Sequence, residues 1–192
     1  MTLRQDVFRA LRSDGFKGKN GVCKRPDADG FSFVVSTGPL NKRTDISPTV
    51  GIRHDEIENL WYDLSGLPRN EYSATIGANL GYVLDGTYRD WQPPATAEEV
   101  LGFIRQGFDK LRPLMHLDRI RDGFAIPGSD MAKNYTLVLV ELVRGDAAGV
   151  ERELTNAYDA YCGQSGEVCD QFLKFEANLR ERGLPPDTRG PF

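Results

Sequence analysis

His54 is followed by Asp55, Glu56 and Glu58, and a histidine beside carboxylates is the raw material of a general base. The same residues also read as the start of a helix. There Asp55 caps, and Glu56 and Glu58 favour the positive end of the dipole. His116 beside Asp118 repeats the pairing in a surface-like helix. A zinc site needs three or four converging ligands, and two histidines with three scattered cysteines do not supply them. Cys162 and Cys169 stand seven apart and read as buried helix residues, a labile thiol pair being the alternative. Gly15-Phe16-Lys17-Gly18-Lys19 lacks the spacing and the Ser/Thr of a phosphate cradle. Gly163-Gln164-Ser165-Gly166 brings its second glycine one place early for a nucleophile elbow. These readings predict no catalytic motif, no metal and no cofactor.

Charge points to surfaces instead. Residues 1–53 carry a net +5, residues 54–99 a net −7 and the remainder −2. The acidic middle holds Asp55, Glu56, Glu58, Asp63, Asp85 and Asp90, with Tyr88 and Trp91 in a loop. Aromatic anchors inside a charged field give protein interfaces both affinity and fast association. Asp55, Glu56, Glu58, Asp85, Tyr88, Asp90 and Trp91 are therefore the predicted partner-binding residues. The competing reading is a solvated helix face and a loop whose Trp91 folds back onto the core. The basic run Lys17, Lys19, Lys24 and Arg25 with Phe16 could touch phosphates. The charge balance argues against nucleic-acid binding, since edge strands also use lysine to block sheet-to-sheet pairing.

The elements that must position these residues follow from periodicity. Thr2 can cap a helix carrying Leu3, Val7, Ala10 and Leu11, and Gly15 can stop it. Phe16 to Arg25 reads as one basic strand, joined through Pro26-Asp27-Ala28-Asp29-Gly30 to the alternating Phe31, Phe33 and Val35. A third strand runs from Ile46 to His54, and Ile57, Leu60, Trp61 and Leu64 then fall at helical spacing. Ala74, Ile76, Ala78, Leu80, Tyr82 and Leu84 alternate as a fourth strand. Thr96 and Glu99 form a capping box for a helix with Val100, Leu101, Ile104, Phe108 and Leu111 inward. Pro113 begins a short piece reaching Gly123.

Beyond Pro127-Gly128 the chain reads as helices. Asp130 could cap the first, and Thr136 to Val140 fits a buried strand equally well, although length and flanking signals favour helix. Asp146 caps the next, with Val150, Leu154, Ala157, Tyr158 and Tyr161 on one stripe. Val168, Phe172, Phe175 and Leu179 mark the last, which Gly183-Leu184-Pro185-Pro186 ends. The predicted fold is α+β: an antiparallel sheet of about four strands, packed helices and a C-terminal helical subdomain. The predicted division is residues 1–127, a helical subdomain at 128–183 packed on them, and a loose tail at 184–192.

The 192 residues are 40% hydrophobic and 27% charged, enough for a proper core and incompatible with global disorder. No apolar run approaches a membrane span, and Met1 to Asp6 lacks the apolar stretch of a secretory signal. An odd, sparse set of cysteines adds to the expectation of a cytoplasmic protein.

The opening order runs from a short helix through Leu11-Arg12-Ser13-Asp14-Gly15-Phe16-Lys17 and a basic hairpin to Ile46-Ser47-Pro48-Thr49-Val50-Gly51-Ile52-Arg53-His54. With Leu80-Gly81-Tyr82-Val83 and Trp91, it resembles small bacterial domains of unknown function over residues 1–125. Some of those are encoded beside polymorphic toxins and look like immunity proteins. The resemblance implies a non-enzymatic protein that binds and blocks a cognate toxin, and the acidic segment points to a basic one. The alternatives are a small enzyme using His54 with a nearby carboxylate, and a nucleic-acid binder through the basic hairpin.

Overall fold

The computed structural model describes residues 2–38, 45–129, 132–163 and 166–183. The chain divides into two compact units. The first comprises the chain up to Glu58 and Asn70–Lys133. The second comprises Asn59–Arg69 and the chain from Asn134 onward.

In the first unit, helix α1 (Leu3–Ser13) starts at Thr2, whose side chain exchanges capping bonds with Gln5. Gly15 follows it at φ +87°, a left-handed turn that side chains resist. Strands β1 (Lys17–Lys19), β2 (Val22–Pro26), β3 (Phe31–Ser36), β4 (Thr49–His54) and β5 (Ile76–Asn79) form one antiparallel sheet in chain order. The fold is α+β, with five strands rather than about four. The extra strand comes from splitting the basic stretch. Asn20 and Gly21, at φ +52° and +80°, turn it back on itself, as Asn-Gly does in two-residue hairpins. Lys17 and Lys19 lie exposed on the resulting edge strand.

The long alternation from Ala74 to Leu84 is only partly strand. It changes at Asn79, whose Oδ1 accepts the Gly81 N–H and so caps a second element, α3 (Leu80–Asp85). Gly86 at φ +79° closes α3. Helix α4 (Ala97–Leu111) carries the expected capping box of Thr96 and Glu99, and the expected face is buried. Phe108 stacks on Phe16 and packs on Phe33, so α4 closes the core over one sheet face. Two short 3-10 turns and α5 (Ile120–Gly123) complete the unit.

Helix α2 (Asp55–Ser65) begins in the first unit and continues into the second. The second unit also holds α6 (Lys133–Arg144, from Asn134 on), α7 (Ala147–Cys162) and α8 (Glu167–Glu181). Residues 136–140 are helical. Asp146 caps α7 by accepting the Gly149 N–H. Asp130, Gln164, Ser165 and the tail from Leu184 lie outside the described residues. The core gathers Trp61, Tyr135, Phe172 and Phe175, with Trp61 and Tyr135 centroids 4.9 Å apart. Val168, expected on the buried stripe, is 53% exposed at the start of α8. Cys162 and Cys169 form a disulfide, which corrects their reading as buried, unpaired helix residues. The last residue of α7 and the first turn of α8 bring them together, with Cα atoms 4.7 Å apart. Among the described residues no helix is long and apolar enough to cross a membrane.

Candidate functional site

The predicted partner-binding residues fall into two groups held at opposite ends of β4. His54 pairs with Phe31 at one end, and Thr49 pairs with Asn79 at the other. Five strand steps separate those ends, about 17 Å at strand rise.

At the His54 end, Arg53 organises a buried network. Its guanidinium is inside the fold, with Nε donating to Asp55 Oδ1 at 2.6 Å and Nη1 to Ser73 Oγ at 2.8 Å. Nη1 also donates to the carbonyl oxygens of Asn70 and Ser73, and stands 3.7 Å from Glu58 Oε2. Glu58 accepts the hydroxyls of Ser73 and Thr75, and Thr75 Oγ1 accepts the His54 backbone N–H at 2.9 Å. Only 6% of Glu58 is exposed, so it is an internal structural residue and not part of an exposed acidic face. Sequence hides this, because its partners arrive from β4 and from residues 70–75. Gly51 admits that covering segment: a Cβ there would stand 2.8 Å from the Ala74 Cβ.

Asp55 remains half exposed and also pairs with Lys24 at 3.5 Å. Partial burial opposes its ionisation, but the Arg53 hydrogen bond and the Arg53 and Lys24 charges together hold its carboxyl below the usual range. Glu56 is exposed. His54, not Asp55, occupies the capping position of α2, its Nδ1 accepting the Ile57 N–H at 3.4 Å. Burial pulls the imidazole below its ordinary value, with Glu56 and Asp55 opposing weakly. With that lone pair engaged, the ring is built as a neutral cap. Its neighbouring carboxylates are not hydrogen-bonded to it.

The other end carries Asp85, the last residue of α3, and Tyr88, Asp90 and Trp91 on the loop that follows. Asn79 is its organiser, a residue the sequence reading passed over. Its Nδ2 donates to Ser47 Oγ and to the Arg89 carbonyl oxygen, both at 2.9 Å. Its Oδ1 accepts the N–H groups of Gly81 and Arg89 at 2.9 and 3.0 Å. A Cβ at Gly81 would overlap the Thr87 carbonyl oxygen, so the close approach of the loop requires glycine. Asp85 accepts the Thr87 hydroxyl at 2.6 Å and pairs with Arg89. The Thr87 hydroxyl, and secondarily its N–H and the Arg89 charge, hold the Asp85 carboxyl below the usual range.

Tyr88 is 59% exposed, yet its hydroxyl is 2.8 Å from Ser47 Oγ and its ring meets the edge of Tyr82. Asp90 is exposed. Trp91 folds back: its backbone exchanges two 2.8 Å bonds with Ile46, and its ring rests 5.6 Å from Phe103. It supports the loop rather than projecting from it. Beside the loop runs an open groove of about 510 Å³, lined by Leu84, Asp85, Arg89, Phe103, Gln106, Asp109 and Lys110. Its lining sets the carboxylates of Asp85 and Asp109 against the cations of Arg89 and Lys110, with Leu84 and Phe103 as its apolar part. Among the described residues, no three His, Cys, Asp or Glu side chains converge as metal ligands would. No protein-family model, curated protein or solved structure matches the chain.

Proposed function

We propose that the chain is a non-enzymatic protein-binding domain, and that residues 85–91 with the adjoining groove are its contact surface. One observation carries the reading: Tyr88 projects from a loop already locked by Asn79 and Ser47. An exposed aromatic on an ordered loop contributes contact area with little ordering cost on binding. Asp85, Asp90 and Asp109 outnumber Arg89 and Lys110 around it, a balance that favours a basic partner segment. A toxin-blocking, immunity-type role in the bacterial cytoplasm is the biological form of this reading that the sequence resemblance implies. His54 counts against the enzyme alternative, because its Nδ1 serves the helix backbone.

Parallel affinity capture from bacterial lysate, with wild type and Tyr88→Ala as baits, tests the proposal. A basic partner retained by wild type and lost by the variant supports it. Equal retention moves the interface elsewhere. For the immunity form, the purified partner's toxic activity must fall on titration with wild type and not with Tyr88→Ala.

A further inference from the structure

We propose that Cys162–Cys169 is a thiol–disulfide switch, opened by nucleophilic attack on the sulfur of Cys162. Both cysteines are half-buried where α7 ends and α8 begins, within reach of a reductant. The third cysteine offers an internal contrast. Cys23 is fully buried, and burial pushes its thiol up to about 12, which keeps it inert.

The two sulfurs are not equivalent. Cys162 is the last residue of α7, where the helix dipole disfavours an anion. Asp159, three residues before it, lies on the same helix face and disfavours the anion further. Cys169 sits in the first turn of α8, whose capping residue, Gly166, has no side chain to accept the N–H groups at that end. Glu167 and Asp170 stand two and one residues from Cys169, spacings that do not face it along the helix. Cys169 is therefore the better leaving thiolate, and exchange proceeds fastest when the lower-pKa sulfur leaves.

The step balances with a dithiol reductant. One reductant thiolate bonds to Cys162 Sγ, the protein S–S bond breaks, and its electron pair leaves on Cys169 Sγ. The second reductant thiol, deprotonated, attacks the mixed disulfide and frees Cys162. The reductant becomes a disulfide and the protein gains two electrons and two protons.

The bond also shapes a surface. A groove of about 540 Å³ is lined by Asp159, Tyr161, Gly163, Gly166 and Val168 around the disulfide-bonded helix ends. The Tyr161 ring stacks on Tyr135 at 5.0 Å and meets Phe172 at 5.9 Å. Reduction unties the last turn of α7 from the first turn of α8, so this groove and the Tyr161 environment belong to the oxidised form.

The full chain, purified without reductant, tests this by maleimide labelling and mass mapping. No thiol should label in the native oxidised protein. Mild dithiothreitol should expose Cys162 and Cys169 while Cys23 labels only after denaturation. Three thiols in the denatured, unreduced chain would overturn the proposal, as would a disulfide that resists dithiothreitol until the protein unfolds. With excess glutathione and an acid quench, the mixed disulfide should map to Cys162 over Cys169 by about tenfold or more. An equal or reversed ratio overturns the direction of attack. The near-ultraviolet tyrosine signal of wild type should change on reduction, and an unchanged signal would make the bond a passive brace.

Discussion

The imidazole of His54 accepts the backbone N–H of Ile57 through Nδ1 at 3.4 Å, so a histidine does the work usually given to a capping serine or aspartate. Protonation removes that acceptor. Burial places the folded value below the ordinary 6.5. Between the two values the unfolded chain binds more protons, so stability rises with pH across the window. The His54 contribution is complete above 6.5 and is lost as pH falls through the folded value. His54→Asn keeps a capping oxygen without titrating. Its melting temperature should therefore fall less than that of wild type between about pH 7.5 and pH 5.

Glu58 and Glu56 are two residues apart and should respond very differently to charge reversal. Glu58→Lys buries a cation against Arg53 and strands two hydroxyls, so a loss of about 3–5 kcal/mol is expected, enough to unfold a marginal domain. Glu56→Lys is exposed and should stay within about 0.5 kcal/mol. Urea denaturation of both variants is the check, and equal midpoints would place Glu58 at the surface.

Asn79→Ala removes the α3 cap and every side-chain bond that holds the 85–91 loop to Asn79. The cap alone is worth about 1 kcal/mol. Partner binding should weaken beyond that loss, because Tyr88 would then be ordered only on binding. Calorimetric titration of the captured partner gives the comparison. Unchanged affinity at reduced stability would show that loop order is irrelevant to recognition.

The two ends of β4 yield a kinetic prediction. Asp90→Lys alters the field beside Tyr88, so association with a basic partner should slow several-fold and become less salt-dependent. Glu56→Lys, at the opposite end of the strand, should leave association within about twofold. Tyr88→Ala should act mainly on dissociation. Stopped-flow or surface-based kinetics at two salt concentrations resolves the three variants. A larger effect from Glu56→Lys would move the interface to the His54 end.

Local signals were the legible ones. Thr2 as a cap, and Thr96 with Glu99 as a capping box, announce α1 and α4, because each cap is complete within four residues. The stretch 74–84 misleads because alternation keeps running through residues that Asn79 turns into a helix. The Asn20-Gly21 turn is written in the sequence, but the basic residues on either side of it run on as if in one strand. At the candidate site, Tyr88 and Asp90 were readable as exposed, whereas Asn79 and the burial of Glu58 depend on partners far away in sequence. Trp91 could be read either way until Ile46 was seen to pair with it.

The path of the chain between the two units has a consequence for how the gene can be cut. The assignment changes after Glu58, after Arg69 and after Lys133, so the helical unit is not one contiguous stretch. A fragment ending near residue 133 would keep Trp61 and Leu64 but lose Tyr135, Phe175 and Asn178, the last of which donates to the Leu64 carbonyl oxygen. A single crossover or truncation therefore cannot transplant either unit whole. Recombination that exchanges the C-terminal helices must also carry residues 59–69, so the helical unit moves only as two separate segments.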